Sequence, residues 1–121
     1  PQVREREREL LERIAELVDF ARQNLARAGY DDRVEVHLCD GTMGRPEDGP
    51  YDGITVGAAS PKVQDALFRQ LKIGAKLVIP VGDRFCQQLL KVTKDPTGSP
   101  ITDKSIFCRF VPFIGQDGYS A

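Results

Sequence analysis

The stretch "DGITVGAASPKVQDALFRQLKIGAKLVIPVGD", at residues 52–83, decides the fold of this chain. It opens with a run at 52–59 whose side chains are small and apolar enough for a strand buried on both faces. Apolar residues then recur at helical spacing after Ser60 and Pro61, which suit the N-cap and the first helical position. The run "KLVIPVG" at 76–82 predicts the next strand. A strand–helix–strand unit predicts a parallel sheet and an α/β fold.

The residues before this stretch predict a helix and a further strand. Apolar residues from Leu10 to Leu25 recur every three or four positions, so residues 3–28 are expected to form one long amphipathic helix. Its first turns, "REREREL", alternate Arg and Glu without an apolar stripe and predict a charged extension of that helix. The run "VEVHLC" at 34–39 alternates apolar and polar residues, which is typical of a strand.

The residues after the deciding stretch predict two more strands. "QQLLKVTK" at 87–94 and "SIFCRFVPFIG" at 105–115 flank the turn-forming sequence "DPTGSP". This pair predicts an antiparallel hairpin at the edge of the sheet, followed by a loose tail. We therefore expect one domain overall, with the helix at 1–28 and the α/β part at 29–121.

Composition narrows the possible functions. Seventeen Lys plus Arg against eighteen Asp plus Glu give a net charge near -1, so neither nucleic acid nor an anionic membrane is an expected partner. No apolar run approaches the ~20 residues that span a bilayer. The three cysteines are widely spaced and form no C-x-x-C pair, which predicts buried free thiols and a cytoplasmic setting. No grouping of residues has metal-ligand spacing, so no metal is expected.

Asp40 and Gly41 directly follow the strand predicted at 34–39. In an open parallel sheet, ligands bind beyond the carboxyl ends of the strands. An aspartate there can accept hydrogen bonds from a ligand, and a glycine lets a flat ring approach the backbone. These residues taken alone slightly favour the other interpretation, a plain turn capped by Asp40.

A longer comparison favours the binding site. Three stretches resemble the protein-L-isoaspartate O-methyltransferase family, namely "DGTMG", "PYDGITVGAA" and "LKIGAKLVIPVGD". "RFVPFIG" resembles the final strand of that family, and the resemblance runs in register from about Leu11 to Gly115. It implies the C-terminal half of a Rossmann-like methyltransferase sheet, in which parallel strands are followed by an antiparallel hairpin.

The resemblance also implies a reaction and a set of binding residues. The reaction is transfer of a methyl group from S-adenosylmethionine to the carboxylate of an L-isoaspartyl residue in damaged protein. Asp40 would accept from the adenine amine, with Gly41 beside the ring and Thr42 in the same segment. Glu12 would hold the ribose hydroxyls, and Ala58 would line the cofactor cleft. No catalytic residue is predicted.

Two departures from the family pattern limit what this chain is expected to do. The family binds the methionine part of its cofactor with a G-x-G-x-G loop, yet no two glycines here are separated by a single residue. The family also has a short apolar strand where this chain has "REREREL", and a helical extension there would place Glu12 inside a helix. We therefore expect weak or absent S-adenosylmethionine binding by this chain alone.

Three functions stay open on the sequence. The first is that the chain is by descent a protein-L-isoaspartate methyltransferase. The second is that it is a truncated, non-catalytic derivative that acts as an oligomerising or binding module. A methyltransferase acting on RNA is the third, and the near-neutral charge counts against it. A parallel sheet without its first strands exposes a strand edge, so we expect a homo-oligomer, a dimer, with residues 3–28 in or near the interface.

Overall fold

The computed structural model describes residues 8–121 and divides into two compact units. Unit 1 comprises the described residues up to Gly41, and unit 2 runs from Thr42 to Ala121. Each unit carries parallel strands and a helix, as an α/β fold requires. The domain division at residue 28 that the sequence suggested stays a prediction.

Unit 1 is a strand–helix–strand unit. Strand β1 spans Arg8–Glu12, helix α1 spans Ala15–Ala28, and strand β2 spans Val34–Leu38. The two strands are parallel, in a register that pairs Arg8 with Val34 and Glu12 with Leu38. Helix α1 ends as predicted at Gly29, whose φ of 81° lies in the left-handed region that favours glycine.

The prediction of a single helix over residues 3–28 was wrong for Arg8–Glu12, which form β1, and residues 3–7 lie outside the described part of the chain. Alternating Arg and Glu have the period of two that also suits a strand. Strand β1 does not bury them, since Arg8 is exposed and Glu9 is half-buried.

Unit 2 contains a four-stranded sheet. Its elements are β3 (Tyr51–Thr55), α2 (Asp65–Arg69), β4 (Leu71–Gly82), β5 (Gln87–Lys94) and β6 (Pro100–Cys108). The strand order is β3-β4-β5-β6, in which β3 and β4 are parallel and the remaining pairs are antiparallel. The predicted parallel unit and the C-terminal antiparallel hairpin are therefore confirmed, although the second strand of the hairpin spans Pro100–Cys108 and not the predicted residues 105–115.

Strand β4 is the centre of the core of unit 2. Leu77 and Ile79 are fully buried on it, and Val92 of β5 is 1% exposed. The buried cluster consists of Val56, Leu67, Leu71, Ala75, Leu77, Ile79 and Val92. Because α2 contributes Leu67, this cluster joins the helix to the sheet.

Two predictions for the middle of unit 2 were wrong in detail. Helix α2 begins at Asp65, because Ser60 is extended and does not cap a helix: its N–H donates to the Pro80 carbonyl (2.8 Å), and its carbonyl accepts from the Gly82 N–H (3.0 Å). Strand β3 is not buried on both faces, since Asp52 and Thr55 are exposed.

The chain end is fixed by hydrogen bonds, contrary to the expected loose tail. Strand β6 stops at Cys108, and residues 111–120, which we call the C-terminal clasp, follow it. The Ala59 N–H donates to the Val111 carbonyl (2.6 Å), and the Phe113 N–H donates to the Ala59 carbonyl (2.7 Å). At the far end of the clasp, Arg84 donates to the Ser120 carbonyl (2.6 Å).

Two further expectations concern thiols and membranes. All three cysteines are free as predicted, but Cys86 is exposed and Cys39 and Cys108 are half-buried, so the expectation of buried thiols was wrong. Over residues 8–121, no helix is both long and apolar enough to cross a bilayer.

Candidate functional site

Glu12 and Asp40 lie at the carboxyl ends of two adjacent parallel strands in unit 1. Glu12 is the last residue of β1 and pairs in register with Leu38 of β2. The pairing continues one residue further, because the Cys39 N–H donates to the Glu12 carbonyl (3.0 Å). Asp40 comes next, and both acidic residues are half-buried. Glu12 is therefore at a strand end and not inside a helix.

The Glu12 carboxylate also lies at the beginning of α1. Its Oε1 accepts a hydrogen bond from the Ile14 N–H at 3.3 Å, and Ile14 is the N-cap of the helix. A carboxylate is stabilised there by the partial positive charge of the helix N-terminus. Since an ionised carboxylate has about four acceptor positions, this long bond leaves capacity for the hydroxyl groups of a ligand.

The Thr42 side chain is buried and is therefore not available for direct contact with a ligand. It lies in a 3-10 turn over Gly41–Met43 and is 0% exposed. Its Oγ1 accepts a hydrogen bond from the Asp117 N–H in the C-terminal clasp (3.2 Å). Thr42 therefore holds two segments of unit 2 together that are 75 residues apart in sequence.

Ala58 lies beside open space after β3. It is half-buried and packs against the core of unit 2. The preceding Gly57 is exposed, and a Cβ atom added there would meet no other atom within 4 Å. The backbone before Ala58 is thus accessible to a ligand, as the expected lining of a cofactor cleft requires.

A polar network after β3, buried at Ser60 and Gln64, was not predicted from the sequence. The Gln64 side chain is 0% exposed, and its Nε2 donates to Ser60 Oγ (2.5 Å) and to the Asp117 carbonyl (3.1 Å). Lys62 forms an ion pair with Asp117 at 2.5 Å. The hydrogen bond and the charge of Asp117 raise the pKa of Lys62 above its ordinary value. No local motif signals this network, because its two parts are distant in sequence.

His37 carries a second polar cluster within unit 1. Its Nε2 lies 3.4 Å from Glu35 Oε2 and 3.9 Å from Glu9 Oε1. The His37 side chain is 18% exposed and is therefore largely covered. These distances fit an ion pair when the imidazole is protonated, and strand alternation places the cluster on the opposite face from Glu12.

The fold and the strand ends define a class of protein. Parallel strands joined by helices, with acidic residues beyond adjacent carboxyl ends, are typical of Rossmann-like proteins that bind nucleotide cofactors. The chain belongs to the family described as protein-L-isoaspartate(D-aspartate) O-methyltransferase (PCMT), whose sequence pattern matches residues 5–118. The family resemblance predicted from short stretches is thereby confirmed.

Individual relatives agree with this assignment. The chain is 51% identical over 109 residues to a protein-L-isoaspartate O-methyltransferase of Staphylothermus marinus, which covers 90% of this chain and 48% of that protein. It is 50% identical over 109 residues to one of Methanopyrus kandleri, covering 90% of this chain and 48% of the other. The chain thus spans about half the length of the curated relatives it matches.

Solved structures support the same fold. A putative protein-L-isoaspartate O-methyltransferase of Plasmodium falciparum, in complex with S-adenosyl-L-homocysteine, matches with a TM-score of 0.76 and 26% identity, over 88% of this chain and 51% of that one. A second protein-L-isoaspartate O-methyltransferase matches with a TM-score of 0.80 and 26% identity, over 91% of this chain and 35% of that one. The fold is that of a partial Rossmann-like methyltransferase.

Proposed function

We propose that this chain forms the adenosine-binding half of an S-adenosylmethionine-dependent methyltransferase that acts on L-isoaspartyl carboxylates in protein. The observation that carries the proposal is the position of Glu12 and Asp40 at adjacent strand ends. They lie in a chain whose family match covers residues 5–118. The substrate is proposed from the family to which the chain belongs.

The residues present suit the adenosine part of the cofactor. Glu12 accepts from the ribose hydroxyls and Asp40 from the adenine amine, while Gly41 lets the ring approach the backbone. In unit 2, Ala58 and Thr42 are assigned to cofactor binding from the family resemblance, and Thr42, which is buried, supports its own segment. When bound, S-adenosylmethionine supplies the methyl group. The glycine-rich loop that would hold its methionine part is not found in this sequence.

The roles assigned to these residues are binding and orientation. A substrate carboxylate is already a nucleophile, so a protein has mainly to align and desolvate the two reactants. Hydrogen bonds from the cofactor to fixed carboxylates set its position. We therefore assign no catalytic base within this chain.

The proposal can be tested on a joined protein. In it, this chain follows the part of the Staphylothermus marinus relative that precedes the matched region, since the two are 51% identical where they overlap. The assay measures methyl transfer from labelled S-adenosylmethionine to an isoaspartyl peptide. Loss of a charged hydrogen-bond acceptor costs about 1.5–3 kcal/mol, so Glu12→Gln should lower kcat/KM by about tenfold or more.

The matched control is Glu16→Gln, which makes the same substitution at an exposed glutamate of α1. It should leave kcat/KM within about twofold of the unsubstituted protein, as is usual for surface positions. Equal activity of the Glu12 and Glu16 variants would contradict the ribose role. No methyl transfer by the unsubstituted joined protein would contradict the proposed function itself.

An oligomerising module is the second candidate function. Among the described strands, β1 is paired only with β2, and β3 only with β4, so each leaves one edge open. Such edges associate readily with further strands. In unit 1, Leu10, Leu17 and Phe20 are also exposed, at 46%, 46% and 62%. We propose a homo-oligomer, a dimer, with its interface at or near residues 8–28.

Multi-angle light scattering tests the dimer at micromolar concentration. We expect twice the chain mass of 13.4 kDa. A monodisperse monomer would rule the dimer out. We also propose a cytoplasmic location, which the three free cysteines support, because reducing compartments keep thiols free.

A further inference from the structure

The C-terminal clasp contacts both parts of unit 2 that carry proposed cofactor residues. At its middle, the Asp117 N–H donates to Thr42 Oγ1 (3.2 Å). At its beginning, the clasp is hydrogen-bonded in both directions to Ala59, the residue after Ala58. Because one continuous segment makes both contacts, a displacement of the clasp would disturb the contact with Thr42 and the contact with Ala59 together.

The clasp is itself closed into a tight loop. The Tyr119 N–H donates to the Phe113 carbonyl (2.8 Å), and the Gly115 N–H donates to the Tyr119 carbonyl (3.2 Å). The Tyr119 hydroxyl donates to the Gly82 carbonyl at the end of β4, and the Arg84 guanidinium lies 4.9 Å from the centre of the Tyr119 ring. The loop is therefore anchored to the sheet at its outer end.

Gly118 is a second point at which the clasp lies close to Thr42. A Cβ atom added at Gly118 would collide with the Phe113 carbonyl oxygen and would lie 2.9 Å from Thr42 Cγ2. Both neighbours are held in place, one by the backbone and the other by full burial. Only glycine allows this approach, so the contact depends on a residue without a side chain.

We propose that the C-terminal clasp is a positioning element for cofactor binding, with Asp117 and Gly118 as positioning residues that act through Thr42. The inference rests on the proposed function, because it assumes that the segments at Thr42 and Ala58 meet the cofactor. Asp117 uses its N–H to orient Thr42, while its carboxylate is held by Lys62 and its carbonyl by Gln64. Three groups of one residue thus fix its position.

A positioning role differs from a purely structural one in what it changes. If the clasp only stabilised unit 2, loosening it would lower the melting temperature and leave the affinity of the folded protein unchanged. If it positions the two segments, loosening it raises the Kd for the cofactor. The KM for an isoaspartyl peptide at saturating cofactor should then stay the same, because the proposal assigns Thr42 and Gly118 no contact with the peptide.

The experiment uses the joined protein and calorimetric titration with S-adenosylhomocysteine. Thr42→Val keeps the side-chain shape and removes the hydroxyl, and should raise Kd about tenfold, as the loss of one buried hydrogen bond implies. Gly118→Ala should raise it by at least as much. Thr42→Ser keeps a hydroxyl at this position, so its Kd should lie within about twofold of the Kd of the unsubstituted joined protein. Gly53→Ala is the matched control, because its Cβ would meet only the Lys76 carbonyl at an ordinary 3.7 Å.

Circular dichroism and melting curves identify variants that fail to fold. If Gly118→Ala does not fold, the pair Thr42→Val and Thr42→Ser decides the question. Unchanged Kd in folded Thr42→Val and Gly118→Ala would overturn the clasp inference, and the proposed function would stand if Asp40→Ala weakened binding about tenfold or more. Absence of binding by the unsubstituted joined protein would overturn both.

Discussion

The two units differ sharply in how much apolar surface they bury. Unit 2 has a cluster of seven buried hydrophobic residues that joins its sheet to α2. In the described part of unit 1, only Val18 and Val36 are buried hydrophobic residues, at 2% and 6% exposure. Leu10, Leu17 and Phe20 of that unit remain exposed. Unit 2 thus has a core of its own, whereas the described part of unit 1 leaves much of its apolar surface exposed.

This difference agrees with the length of the chain relative to its family. The chain covers about half of its curated relatives. Burial of apolar surface is the main favourable contribution to folding, at about 25 cal/mol for each Å² removed from water. A unit that leaves leucines and a phenylalanine exposed gains less from this term. We therefore expect unit 1 to depend on further protein segments more than unit 2 does.

The largest expected effect comes from a matched pair of leucine truncations, one in each unit. Leu77→Ala removes a fully buried side chain from the centre of β4 and should lower the free energy of unfolding by about 3 kcal/mol. Leu17→Ala changes a side chain that is 46% exposed on α1 and should cost less than about 1 kcal/mol. Urea unfolding followed by circular dichroism measures both.

The same pair can break the comparison. Equal losses for Leu77→Ala and Leu17→Ala would mean that Leu17 is buried in solution. Light scattering on the same samples then shows whether a second copy of the chain covers it. If Leu17→Ala lowered the free energy of unfolding only in the oligomer, the difference in apolar burial between the two isolated units would be supported.

A smaller effect is expected at the turn between β5 and β6, which belongs to unit 2. Asp95 Oδ1 accepts hydrogen bonds from the Thr97 hydroxyl (2.6 Å), the Thr97 N–H (2.8 Å) and the Ser99 N–H (2.9 Å). These hydrogen bonds lower the pKa of Asp95 below its ordinary value of 3.8, and the bond from the Thr97 hydroxyl has the largest effect. A carboxyl group whose pKa is lower in the folded protein than in the unfolded chain stabilises the fold at pH values above its unfolded pKa. This stabilisation is lost as the pH falls through its folded pKa.

We therefore expect Asp95→Ala to lower the urea midpoint at pH 7, with the difference from the unsubstituted chain shrinking as the pH falls below 3.8. Asp103→Ala is the control, because this exposed carboxylate forms only a long ion pair of 3.9 Å with Lys91. It should change the midpoint little at any pH. A constant difference for Asp95→Ala across the acid range would contradict the assigned hydrogen bonds.

Much of the fold could be predicted because its signals are local. Alternation in "VEVHLC" and the apolar run "KLVIPVG" mark strands, and turn residues at "DPTGSP" mark the hairpin. Strand β1 was missed because the sequence before Leu10 alternates charges, which suit a helix extension as well as a partly exposed strand. The choice depends on pairing with β2, a contact that a local pattern does not encode.

The candidate site shows the same division. Asp40 and Gly41 could be predicted as candidates from their place after a strand and from the family resemblance, and their binding roles stay predictions. The support of Thr42 by Asp117 and the burial of Gln64 could not, because they arise where the clasp folds back over distant segments. Gly118 carries no distinctive local signal, although its lack of a side chain is what the contact requires.

The most direct test of the account is calorimetric titration with S-adenosylhomocysteine of this chain alone, of the joined protein, and of its Asp40→Ala and Asp32→Ala variants. We predict weak or no measurable binding by the chain alone and clear binding by the joined protein. Asp40→Ala should weaken that binding about tenfold or more, and Asp32→Ala, an exposed control, should not. Micromolar binding by the chain alone would contradict the requirement for a glycine-rich loop, and equal affinity of the Asp40 and Asp32 variants would contradict the adenine site.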